Sequence, residues 1–291
     1  MKILEIVTKS LRQHLGIVRA YPTAALIVVL SGMIPLYFGH GVHRTKQAIA
    51  YLFAVWFCAF LIDVVVNSRP RKAVGFPIKR DAKREAVFVV TCTLLGLVFL
   101  VIRFGGRWNT MPPVHRLVWL SLVPFAYPIV LALIYLLYYR YKPRELGANL
   151  HYWYLPMLLH PIWGTITLAV APDRSHWRSF IHDNGVVGLV WTGLVSAALC
   201  EEFTRALLQT RLGVAFGNKG LGFVAATFIW ASLHIPVTLS QNPTANVWRI
   251  VIGSWGLIPI GLLWGYMTHR SKSLVPAVFM HGLNFWGLQN I

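Results

Sequence analysis

Two adjacent carboxylates and a guanidinium, Glu201-Glu202-x-x-Arg205, stand near the end of an apolar run from Val186 to Leu208 that is long enough to cross a bilayer. Insertion scales charge each such group about 2.5–3.5 kcal/mol at the bilayer centre, so ionisable residues there mark a functional site by default. The chemistry they suit is proton transfer, because a carboxylate in a dry hollow can take a proton from water near neutral pH. Two further apolar stretches each carry one histidine: His234 in Phe228-Ile-Trp-Ala-Ser-Leu-His234-Ile-Pro236, and His281 in Val278-Phe-Met-His281-Gly-Leu-Asn284. Asn284 lies three residues after His281, on nearly the same helical face. One acid pair, two imidazoles and an amide could therefore line one polar hollow between helices.

A plainer reading treats the acid and the arginine as a buried structural ion pair. One Arg neutralises only one carboxylate, however, and there are two. Gly193, Ala197, Glu201 and Arg205 repeat at intervals of four and form one helical stripe. Arg205 can reach Glu201 at i+4 or Glu202 at i+3. The two glutamates point about 100° apart on a helix, which predicts different partners for each. A lone histidine in an apolar span is more often a packing residue than a catalyst, and His160 and Asp63 are weaker candidates for the same hollow. Asp63 falls near a span end, where it is expected to reach water. His14, His40, His43, His115, His151, His176, His182 and His269 fall in loops or at interfaces and carry no expected chemistry.

The elements that must hold these groups follow from composition. The chain has 291 residues, 56% of them hydrophobic and only 12% charged, well below the quarter or so that soluble domains carry. The fold class expected is all-α, a polytopic transmembrane helical bundle of about eight to nine spans. Apolar runs stand at about 24–38, 48–66, 86–104, 117–139, 152–170, 186–208, 221–239, 247–267 and 274–288. Pro124, Pro128 and Pro236 are expected to kink or bend helices, and the first span is short and contains Pro35. Gly261 and Gly265 form a GxxxG pair that permits close helix contact. Residues 1–20 are amphipathic and basic, as an interfacial helix is. Residues 21–184 then supply accessory membrane helices, and 185–291 the catalytic core.

The formal charge of +18 first suggests nucleic acid. The basic residues are instead spread through short loops between apolar spans, as orientation signals are, so no nucleic-acid partner is expected. With the N-terminus in the cytoplasm, that side collects roughly 18 Lys and Arg against about 8 on the other. The loop from Arg69 to Arg84 dominates the count. Cys58, Cys92 and Cys200 all fall in apolar runs and form neither a disulfide framework nor a zinc ribbon. No cleavable signal segment is expected.

The order Glu-Glu…Arg, then aromatic-x-x-x-His, then His with Asn resembles the CAAX protease and bacteriocin-processing family, also called the abortive-infection family, of glutamic-type intramembrane endopeptidases. Its motifs read EExxxR, FxxxH and HxxxN or Hxx(N)B, and the likeness covers about 186–291. This chain has Arg205 one residue nearer the acid pair, Trp230 where Phe is usual, and Asn284 at i+3. The resemblance implies Glu201 as general base on a water, with His234 sharing or aligning that role. It implies His281 and Asn284 as stabilisers of the oxyanion, and Arg205 as the residue holding the second carboxylate, Glu202. The implied substrate is a membrane protein or lipidated peptide at the bilayer, with no cofactor.

Three alternatives stay open at this point. A metal variant would take zinc on Glu and His ligands, although no HExxH helix is present. A non-catalytic immunity or scaffold protein could share the fold. A proton-coupled transporter would use the same groups as a relay, although no matching set appears in the N-terminal half.

Overall fold

The computed structural model describes residues 3–40, 45–72, 75–104, 112, 128–170, 193, 194, 198–242 and 244–283, and among these residues it is all-helical, with no strand. Helix α1 (Ile3–Ala20) and helix α2 (Pro22–His40) meet at Tyr21 with a bend of 94°. Pro22 opens α2, where its missing N–H costs nothing. Helix α1 has three faces. Ser10 and His14 are buried against the bundle, Leu4, Leu11, Leu15 and Val18 form an exposed apolar stripe, and Lys9, Arg12 and Arg19 are exposed beside it.

The chain continues through α3 (Thr45–Ser68), α4 (Ala82–Phe104), α5 (Pro128–Tyr138, π-helical over its last five residues) and α6 (Leu155–Val170). Its C-terminal part holds α7 (Cys200–Ala215), α8 (Lys219–Ser232), α9 (Ile235–Gln241), α10 (Val247–Trp255), α11 (Ile258–Ser271) and α12 (Val275–Leu283). Among the described residues, three stretches are long and apolar enough to cross a bilayer: Ala48–Ser68, Lys219–Leu239 and Val247–Ser271. The bent pair α1–α2 makes a fourth if it counts as one span. The other runs counted in the sequence fall on α4, on shorter helices, or partly outside the described residues.

Glycines set how closely the C-terminal helices approach. A Cβ on Gly222 would lie 2.3–2.4 Å from the backbone of Gly213, so α7 and α8 cross backbone to backbone. A Cβ on Gly261 would meet the Trp230 ring at 2.6 Å, and one on Gly265 would meet Gln209 Oε1 at 2.5 Å. The GxxxG pair thus seats α11 against both α8 and α7. Gly222→Ala is therefore expected to destabilise the protein by about 1–3 kcal/mol through overpacking. Gly253→Ala, where a Cβ meets nothing within 4 Å, is the matched control. Unfolding midpoints of the two variants in detergent check the contrast.

Asp63 corrects the sequence reading. It is fully buried rather than in reach of water. Arg270 of α11 approaches its Oδ1 with Nε at 2.5 Å, Tyr266 donates to its Oδ2 at 2.6 Å, and His14 Nδ1 lies 3.6 Å away. Helix α1 folds back over the end of α3 and covers it, with Asn67 Nδ2 donating to Ser10 Oγ at 3.0 Å. His14, set aside as an interfacial residue in the sequence, is part of this buried cluster.

Among the described residues, the basic loop after α3 meets the segments around 145–152 and 272–274 at one end of the bundle. Phe76 N donates to Glu145 O at 2.9 Å and Leu274 N to Gly147 O at 3.0 Å. Tyr152 Oη donates to Arg69 O at 2.6 Å, and Asn149 Nδ2 to Lys272 O at 2.7 Å. Glu145 in this layer accepts from Lys142 N at 2.6 Å and pairs with Lys79 Nζ at 2.5 Å. The Lys142 N–H first, and then Lys79, hold its carboxyl below the usual carboxylate range. A carboxyl lowered on folding contributes stability above its unfolded value and loses it as pH falls through the folded one. The unfolding midpoint of the wild type is thus expected to drop on acidification below about pH 4 more than that of Glu145→Gln.

Candidate active site

Helix α7 places the acid pair. Glu201 and Glu202 are consecutive in its first turn and do point to different partners. Glu202 is buried, and its Oε2 accepts from Nη2 of Arg205, one turn later. Its other oxygen, Oε1, lies 2.8 Å from Nδ1 of His281 on α12. Arg205 is fully enclosed, with its guanidinium 5.2 Å from the centroid of the Trp230 ring and 5.6 Å from that of Trp264. Of the two reachable carboxylates, Arg205 hydrogen-bonds the i+3 one, Glu202.

Glu201 faces the other way and is partly open, with 23% of its side chain exposed. Its Oε2 accepts from the indole Nε1 of Trp230. The same oxygen lies 3.7 Å from Nε2 of His234 and 3.8 Å from Nε2 of His281. His234 occupies the break between α8 and α9. Helix α8 tightens there, with Leu233 N bonded to both Ile229 O and Trp230 O, and Pro236 then opens α9. The break turns the His234 ring toward Glu201 and leaves it 28% exposed, while His281 is buried at 2%.

The hydrogen bonds assign the protons of the two rings. Nδ1 of His234 lies 3.2 Å from the carbonyl of Trp230, which can only accept. Nδ1 of His281 faces a carboxylate that already accepts from Arg205. Each Nδ1 therefore carries the hydrogen, and in the neutral ring each Nε2 is an acceptor. Two acceptor nitrogens, the Nε2 atoms, thus stand 3.7 and 3.8 Å from a third acceptor, Oε2 of the partly exposed Glu201. A water molecule there can donate to two of them at once. His281 can donate from Nε2 only as an imidazolium.

Five of the six residues singled out in the sequence, Glu201, Glu202, Arg205, His234 and His281, are brought together here. Asn284 lies outside the described residues. His160 is half-buried on α6, and Asp63 belongs to the α1 cluster instead. Among the described residues, no group of three or more His, Cys, Asp or Glu stands where it could hold a metal ion.

The sequence showed Trp230 only as the aromatic of the second motif and gave no sign of Trp264. Trp264 stacks on His281 at 3.9 Å between centroids and 15° between planes. Trp230 meets His234 edge-on at 4.9 Å and His281 at 6.0 Å. The signal was an indole N–H inside an apolar span, a donor that needs a buried partner. Nothing local names that partner.

A search of curated proteins and of solved structures finds no match to the chain. Residues 183–286, which hold all six of the residues singled out, match the model of the Rce1-like family, described as type II CAAX prenyl endopeptidase Rce1-like, and over this segment the chain is similar to the CAAX protease family.

Proposed function

We propose that the chain is a multi-pass membrane endopeptidase that hydrolyses a peptide bond near the C-terminus of a prenylated or otherwise lipidated protein, using a glutamate-activated water. The observation that carries the reading is the convergence of Glu201 Oε2 with the Nε2 atoms of His234 and His281, at 3.7 and 3.8 Å. Water donates one hydrogen to Glu201 and the other to an imidazole Nε2. As its oxygen attacks the scissile carbonyl, the first proton passes to Glu201. The tetrahedral oxyanion is then stabilised by donors in a dry site, where such contacts count most. The second hydrogen of the water stays on the intermediate as its hydroxyl and is accepted by Nε2 of His281, while Asn284 is assigned to the oxyanion itself from the family motif. The proton on Glu201 goes to the departing amine nitrogen, the C–N bond breaks, and the carboxylate is regenerated.

The reading carries no cofactor and no nucleic-acid partner. The bilayer and a lipidated protein are the partners. The end where the basic loops meet is assigned to the cytoplasm, together with the N-terminus, because Lys and Arg are retained on that side.

The test is cleavage of a fluorogenic prenylated peptide by the protein reconstituted in vesicles. His234→Ala and His281→Ala are each expected to lower kcat by about 10²-fold or more. Unchanged hydrolysis in both would remove the mechanism. Activity that survives dialysis against chelator, with no metal in the purified protein, supports the cofactor-free route. Activity lost to chelator and restored by zinc replaces it with the metal variant.

A further inference from the structure

Glu201 carries the proposed proton transfer, yet its short-range hydrogen bond comes from neither histidine nor arginine. Arg205 is committed to Glu202, and the two imidazole nitrogens stand back at 3.7 and 3.8 Å. The close donor is the indole N–H of Trp230, a residue that is 3% exposed. Trp230 also forms one face of the Arg205 enclosure at 5.2 Å, and its carbonyl accepts from His234 Nδ1 at 3.2 Å. One side chain and its own backbone oxygen thus touch the acid, the guanidinium that fixes the other acid, and the first histidine.

We propose that Trp230 is a positioning residue for hydrolysis: its indole N–H holds the Glu201 carboxylate at the rotamer that aims Oε2 between the two imidazoles. This rests on the proteolytic reading above. The physical argument is geometric. A partly exposed glutamate has three side-chain torsions to fix, and a base misplaced by about 1 Å can lose 10²-fold in rate. A phenylalanine at this position would offer a ring to Arg205 but no N–H. Arg205 is bonded to Glu202, and the indole supplies the donor that Glu201 would otherwise lack. The ring is itself fixed from behind, because Gly261 lets α11 press against it; a Cβ there would lie 2.6 Å from the indole.

The experiment has two readouts on the full-length protein. The first is hydrolysis of the prenylated peptide by Trp230→Phe and by a variant carrying β-(3-benzothienyl)alanine at 230, which keeps the bicyclic shape and replaces N–H with sulfur. Both are expected to lose about tenfold or more in kcat, with KM changed less than about twofold, since the bond orients the base and does not bind substrate. The isostere keeps the test valid if Trp230→Phe folds poorly. The second is the indole 15N–1H resonance of Trp230, assigned by its disappearance in Trp230→Phe. It is expected to shift upfield in Glu201→Ala and to hold its position in Lys79→Met, a distant control.

A benzothienyl variant within twofold of wild-type kcat overturns the proposal, and so does an indole resonance that ignores Glu201→Ala. An inactive wild type whose indole still responds to Glu201→Ala fails the proteolytic reading, reduces the bond to a structural contact, and overturns the positioning role with it. An active wild type whose indole does not respond overturns the inference about Trp230 alone.

Discussion

Glu201→Gln is expected to lower kcat by about 10²–10⁴-fold, the range for losing a general base, while the protein keeps its fold. The expectation follows from what the amide keeps and what it loses. Its carbonyl oxygen can still accept from Trp230 Nε1, so the side chain stays where the indole holds it. Its volume is unchanged, and no buried charge is left without a partner, because Arg205 bonds to Glu202. What disappears is the capacity to take a proton from water. KM is expected to move little, since the same contacts are offered to substrate in the ground state. Single-turnover hydrolysis in vesicles, paired with the unfolding midpoint in detergent, checks both halves. Retained hydrolysis would show that Glu201 is not the base, and a collapsed midpoint would show that it is structural.

The neighbouring acid behaves in the opposite sense. Arg205→Ala is expected to cost about 3–5 kcal/mol of stability, because it strands the buried carboxylate of Glu202. The loss includes packing, since the guanidinium fills the space between Trp230 and Trp264. Replacing both partners with apolar residues of similar size, Arg205→Met with Glu202→Leu, is expected to recover much of that stability, as buried pairs often allow. Activity should not return with it. Glu202 Oε1 fixes the hydrogen on Nδ1 of His281 and so orients Nε2 toward Glu201; without that acceptor the ring is free to change tautomer. Denaturation midpoints and hydrolysis rates of the single and double variants make the comparison. Recovery of both together would mean that Glu202 has no role beyond pairing with Arg205.

The contrast between consecutive residues shows where local and distant information divide. Glu201, Glu202, Arg205, His234 and His281 could be found in the sequence, because an ionisable group in an apolar span carries a cost that one residue and its neighbours reveal. Their all-helical setting was readable for the same reason, as was the 100° between the two acids, a property of one helix. The break at His234 was announced by Pro236 two residues later.

The partners were not readable. Arg205 had two acids within reach, at i+3 and i+4, and local geometry does not choose between them. The choice came from α8 and α11, whose tryptophans enclose the guanidinium, and from α12, which brings His281 to the far oxygen of Glu202. Trp230 lies 29 positions after Glu201, and nothing in the intervening residues states that the two meet. Asp63 was misread for the same reason: its cover is α1, some fifty residues earlier, and its cation is Arg270, far downstream. Helical periodicity fixes the direction of a side chain about its own axis. The rotation and separation of one helix against another are fixed by close approaches such as Gly222 on Gly213 and Gly265 on Gln209, and those depend on the whole packed bundle.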